Sequence, residues 1–260
     1  SFCVGAFDLK RHVTLHLASG ATLLGSPDRA DYNADDAFPE SPPSRSENAG
    51  GAHLIVAYRK TDVAVVGQGT IDGNGARFFK PLPAAPARSY RGRAAVRDVA
   101  DWRPGQMLWF CRCARVAVRD VRLVNPPYWS LLLLGCEDVQ VRGVTCLNPP
   151  ESRNGDGIDI DCSRNVTVSD CLLRTGDDCL TLRANVRRLG GEPMACENVT
   201  VSNCVCSTPT CAVRVGVGDG TIRHCAFHNV VVTDARTGVC LQACYRLSDT
   251  SRHGARIEQS

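Results

Sequence analysis

Only 6% of this 260-residue chain is aromatic, so its core has to be filled mainly by aliphatic side chains. Val and Leu supply them, and a hydrophobic content of 43% is enough for a continuous interior of stacked strands. No apolar run approaches the ~20 residues that a membrane-spanning helix needs, so no membrane partner is expected. The net charge is +3 and the arginines are scattered, which argues against nucleic acid as a partner. No Cys-x-x-Cys pair occurs among the 15 cysteines, so no structural zinc site, and no metal or cofactor, is expected. Helical stripes of 3.6-residue period are scarce. An initiating Met and a signal peptide are also missing. The chain therefore reads as one 1–260 domain without its N-terminal cap and true C-terminus, with its cellular location left open.

What the chain does have is a repeat. A polar residue followed by Val-x-Val recurs at Asp62–Val65, Arg115–Val118, Asp138–Val141, Asn165–Val168 and Asn198–Val201. Thr221–Arg223 and Asn229–Val232 continue the pattern less cleanly. From Val116 the spacings are 23, 27 and 33 residues, with loop insertions making up the differences. A second apolar strand falls between copies, at 131–134, 158–160, 180–182, 213–215 and 239–241. Short strands at an irregular period of this size predict an all-β, single-stranded right-handed parallel β-helix. Cys146, Cys171, Cys204, Cys225 and Cys240 fall inside strand patterns, where stacked free thiols pack as small apolar groups, with room for one or two disulfides. The sequons at Asn165 and Asn198 read as turn–strand junctions of the same repeat.

Two Asp-rich turns stand out against this background. Asn154-Gly155-Asp156-Gly157 runs into Ile158-Asp159-Ile160-Asp161, and Thr175-Gly176-Asp177-Asp178 runs through Cys179 into Leu180-Thr181-Leu182-Arg183. Ile158 and Leu180 are 22 residues apart, about one coil, so the turns belong on neighbouring rungs roughly 4.8 Å apart. Stacking Asp156 beside Asp177 and Asp178 crowds like charges and splits their pKa values. A hydrolase needs such a split, with one carboxyl as proton donor and another as base. Turn-capping Asx bonds are the structural reading for Asp159 and Asp170.

Two stretches interrupt the repeat. Residues 26–50, with Pro27, Pro39, Pro42 and Pro43, suit a surface loop, which either shapes a substrate groove or is an ordinary ordered loop. Residues 76–106 suit a cleft wall, because Arg91, Arg93, Arg97 and Arg103 come with Trp102.

Taken with Val13–Ser26, Gly67–Gly75, Arg103-Pro104 and Asn125–Trp129, these motifs resemble glycoside hydrolase family 28, the polygalacturonase-type enzymes, over almost the whole chain. The resemblance implies a monomeric, secreted or periplasmic enzyme that hydrolyses a pectin-like polysaccharide, polygalacturonate or rhamnogalacturonan related, with inversion. It also implies Asp177 as the general acid, with Asp156 and Asp178 activating water. An inverting pair stands ~6.5–9.5 Å apart to admit that water. Asn154 would orient a carboxylate or a sugar hydroxyl.

The chain departs from the family twice. The family's Gly-His-Gly turn is absent, and counting along the rung puts Thr210 near the His position. The basic Arg-x-Lys pair that grips a substrate carboxylate has no counterpart within 238–242. Arg183 and Arg214, outward on the strands beside the Asp column, have two readings: a fork for a uronate carboxylate, or an exposed ladder pairing Asp161 with Arg183. Trp129 either stacks on a sugar face or closes a core turn. Two other functions share such a scaffold. One is a pectate-lyase-like enzyme with calcium and a basic residue, and the other is a non-catalytic carbohydrate-binding β-helix.

Overall fold

The computed structural model describes residues 1–82, 96–242 and 255–258. Its strands form a right-handed parallel β-helix in which each coil lays one strand on each of three faces. Two of the faces are joined into one sheet by the long strand Cys196–Ser207, which pairs with Arg164–Ser169 along its first half and Leu172–Arg174 along its second. The third face is a separate eight-stranded sheet. Among the described residues every strand pairing is parallel, apart from two isolated antiparallel bridges in the loops.

The repeat seen in the sequence is the register of the first face. Val63, Val116, Val139, Val166 and Val199 are successive partners, and Val65, Val118, Val141, Val168 and Val201 form the next inward column. Both columns are buried, and each side chain contributes roughly 1.5–3 kcal/mol of apolar burial. The polar residue that starts each copy is a turn position. Asp62, Arg115, Asp138, Asn165, Asn198 and His224 all hold φ between 52° and 56°. Asn and Asp tolerate this left-handed conformation better than most side chains, which accounts for their recurrence.

The last coil corrects one expectation. The copy in register with Asn198–Val201 is His224–Phe227, since Val199 pairs with Cys225. Asn229 instead follows Asn203 in a second ladder of turn residues. That pairing places both His224 and His228 on the first sheet, away from the Asp column. All fourteen described cysteines are free thiols, and most are buried.

The eight-stranded sheet positions the Asp column. Ile55, Leu108, Leu131, Ile158, Leu180, Val213 and Val239 run down it in register, as the 22-residue offset requires. The neighbouring outward column reads Val56, Trp109, Leu132, Asp159, Thr181, Arg214. It turns from apolar to polar at the Asp159 rung. Over the apolar rungs the 26–50 segment folds back, packing Phe38 against Trp109 and Tyr58.

Candidate active site

Asp156, Asp177 and Asp178 line one cleft of about 300 Å³, together with Trp129, Asn154, Arg183 and Arg214. The turns that deliver the carboxylates need close backbone approach. A Cβ on Gly157 would sit 2.5 Å from the Cys179 carbonyl oxygen, and one on Gly176 would sit 2.6 Å from that of Pro149. Gly157 N–H donates to the Asp178 carbonyl (2.9 Å), locking the two turns together. The Asp177 carbonyl accepts from the hydroxyls of Thr175 and Thr208, which fixes its backbone.

The carboxylates differ in their partners. Asp178 is held by Arg214, whose Nε and Nη2 donate to its two oxygens, and Thr210 Oγ1 adds a bond of 3.3 Å. Burial works against the Arg214 charge, yet the Asp178 contact holds its pKa above the usual value. Asp156 is the opposite case. Its Oδ1 is buried with no hydrogen-bond partner, and burial raises its pKa well above the usual carboxylate range, with the charges of Asp177, Asp159 and Asp178 adding to the effect. Burial and the neighbouring charges thus favour the protonated form of Asp156, whereas Asp178 is held by a cation.

Asp159 is no turn cap. It lies fully buried within the Ile158–Asp161 strand, and Arg183 Nε stands 3.0 Å from its Oδ1. This is a charge contact without hydrogen-bond alignment, since neither Asp159 oxygen nor Arg183 Nε has an aligned partner. Burial raises the Asp159 pKa to about 7 against the opposing pull of Arg183. Asp161 is Arg183's register partner, but its oxygens accept from Asn185 N–H (2.7 Å) and Nδ2 (2.8 Å) instead. The expected exposed Asp161–Arg183 ladder is therefore absent, because burial makes each Asp161 oxygen take an aligned donor. Asp170 does sit exposed at a turn, with φ 58°, and its carboxylate accepts from Asn203 and Arg142.

Neither Arg183 nor Arg214 is an open fork, since each already faces a carboxylate. The sheet register shifts between Leu182 and Arg183, where Gly216 is the extra residue, and such bulges re-aim side chains. Trp129 reaches the cleft wall, but the Arg183 guanidinium lies 4.2 Å from its ring centroid and Tyr128 stacks beside it at 4.9 Å. The ring supports Arg183 and leaves little face for a sugar. Asn154, left-handed at φ 54°, accepts from Arg103 Nη2 (3.0 Å) and faces Glu47 Oε1.

Two contributors were not foreseen in these roles. Glu47 comes from the 26–50 segment, a surface loop whose Ser44 and Ser46 also line the cleft, in keeping with its groove-shaping reading. Tyr128 hydroxyl donates to its carboxylate. Arg103 is a fully buried clamp that donates to the carbonyls of Glu47, Pro127 and Arg153 as well as to Asn154. Burial lowers its pKa to about 10, so it is charged at neutral pH. It ties the loop to the Asn154 turn, and the Arg103-Pro104 pair was the sequence signal for it. Arg97 pairs with Glu151, whereas Arg91 and Arg93 lie outside the described residues.

The sequence profile of Glycosyl hydrolases family 28 matches residues 42–256. The chain belongs to this family. A probable polygalacturonase of Vitis vinifera is 27% identical over 241 residues, covering 90% of this chain and 46% of that protein. An endo-polygalacturonase of Pectobacterium carotovorum is 24% identical, covering 96% of this chain and 67% of its own length. The chain thus spans about half the length of the grape relative it matches. Among solved structures, a hyperthermoactive exopolygalacturonase from Thermotoga maritima superposes with a TM-score of 0.73 at 20% identity, covering 99% of this chain and 61% of that one. That likeness establishes the shared fold.

Proposed function

We propose that this chain carries the catalytic cleft of a hydrolase that cleaves glycosidic bonds of a pectin-like, acidic polysaccharide with inversion. The observation behind this reading is the asymmetry of the carboxylates: Arg214 grips both oxygens of Asp178, while burial and crowding favour the protonated form of Asp156 beside Asp177. The reaction needs that division. Asp177 delivers the proton to the leaving glycosidic oxygen. Asp178 accepts a proton from the attacking water, with Asp156 helping to orient it. Asn154 sets the Asp156 turn, and Thr210 and Arg214 hold the base in place. Polygalacturonate and rhamnogalacturonan are the substrate candidates, and the protein acts as one β-helical unit.

The test is reducing-sugar release from polygalacturonate, rhamnogalacturonan and a neutral galactan, with wild type beside Asp177→Asn, with and without chelator. Chelator-insensitive release without new ultraviolet absorbance, lost in the variant, is the expected result. Chelator-sensitive release with rising absorbance would mean a lyase. Glycan binding equal in wild type and Asp177→Asn, with no product from either, would mean a binding module.

A further inference from the structure

Four arginines line the cleft, and three are committed. Arg183 faces Asp159 at 3.0 Å, Arg187 pairs with Asp219 at 2.9 Å, and Arg214 holds Asp178. Arg188 has no carboxylate partner and no side-chain hydrogen bond among the described residues. Its guanidinium stands against Trp129, with Cζ 5.4 Å from the ring centroid. Arg183 already lies over the same ring. Two guanidinium groups sharing one indole repel each other, and Asp159 contacts only Arg183, acting on Arg188 more weakly. An anion entering the cleft would relieve the imbalance and gain a charge-assisted contact in a partly desolvated place.

The segment that carries Arg188 is firmly held. It is a single 3-10 turn, Val186–Leu189, entered through Asn185, whose N–H and Nδ2 donate to the buried Asp161. Val186 N–H donates to Asp219 Oδ1 (3.1 Å), and Leu189 is buried with its carbonyl accepting from Arg112. Gly190, at φ 71°, closes the turn onto Arg187 and Val186. The backbone is thus fixed on both sides of Arg188 while the guanidinium keeps its donors unused. This arrangement suits a planar carboxylate, which accepts two parallel N–H bonds from one guanidinium.

We propose that Arg188 is the carboxylate anchor of the cleft, the contact through which a uronate residue of the substrate is recognised. The assignment rests on the hydrolase reading above and adds to it the acidic subsite. It also supplies a cation where the 238–242 strand offers none.

Initial rates on oligogalacturonate and on its methyl ester, with wild type, Arg188→Gln and Arg188→Lys, test it. Arg188→Gln is expected to raise KM for the acid roughly 10–100-fold, the loss of one charged hydrogen-bonded contact, with KM for the ester and kcat little changed. Arg188→Lys should recover part of the loss, because it keeps the charge but not the fork. Thermal midpoints of all three proteins should coincide, since no side-chain hydrogen bond is removed. An unchanged acid KM in Arg188→Gln, with wild type active on the acid, would overturn the anchor and leave the hydrolase reading standing. A wild type that hydrolyses only neutral glycans would overturn both the anchor and the acidic-substrate reading.

Discussion

Two columns of stacked polar side chains run along this solenoid at the same rung spacing, and their chemistry is opposite. On the first face, turn residues alternate as donors and acceptors in solvent: Asn165 donates to Asp138 (2.9 Å) and Asn198 donates to Asn165 (3.0 Å). On the eight-stranded sheet, Asp156, Asp159, Asp177 and Asp178 come together out of water, faced by the guanidinium groups of Arg183 and Arg214. The first ladder costs little and recurs on coil after coil. The second raises the Asp156 and Asp159 pKa values and leaves buried oxygens of both without aligned donors. Stacking by itself is a property of the fold. Stacking of like charges under desolvation marks the site.

This contrast can be broken at several points. The largest effect should come from Asp177→Asn, which removes the proposed proton donor without changing shape. Hydrolytic rate is expected to fall roughly a thousandfold with an unchanged thermal midpoint, as read by reducing-sugar assay and calorimetry. Arg214→Gln comes next. It leaves Asp178 buried without its cation, and such a loss costs about 3 kcal/mol in denaturant unfolding.

A third prediction concerns pH. Asp156 and Asp159 bind protons more tightly folded than unfolded, so the folded state gains stability as pH falls from about 7 towards the unfolded value near 4. The exposed acids with lowered pKa values, Asp62, Asp170 and Glu192, act in the opposite sense, at the acid end of that window and below it. Thermal midpoints should therefore be higher at pH 5 than at pH 7, and Asp159→Asn should flatten the trend. The smallest effect belongs to the other column. Asn198→Ala loses two exposed ladder contacts, to Asn165 and His224, and places Ala at φ 55°, costing about 1 kcal/mol with no change in rate.

The polar-Val-x-Val repeat and the 22-residue offset made the coil register legible, because a period-2 strand with one buried face leaves few alternatives. The three carboxylates were legible for a related reason: side chains in adjacent turns of a solenoid become neighbours in space. What escaped the sequence is long range. The contact of Arg103 with Glu47 crosses 56 residues, and no local pattern encodes it. Arg183's choice of Asp159 over its register partner Asp161 depends on Asn185, three residues past the last alternating position. The covering of Trp129 by Arg183 follows from the same displacement. In the last coil, His224 stands where Asn or Asp had marked the start of most earlier copies, so the polar signature alone misplaced that rung.

The most direct test of the account is the anomeric configuration of the first product, followed by proton magnetic resonance immediately after wild-type protein is mixed with oligogalacturonate. A water activated at Asp178 while Asp177 protonates the leaving oxygen gives the anomer opposite to that of the bond cleaved. Release of the same anomer would mean a covalent intermediate on one of these carboxylates. That result would contradict the assignment of Asp178 as a base.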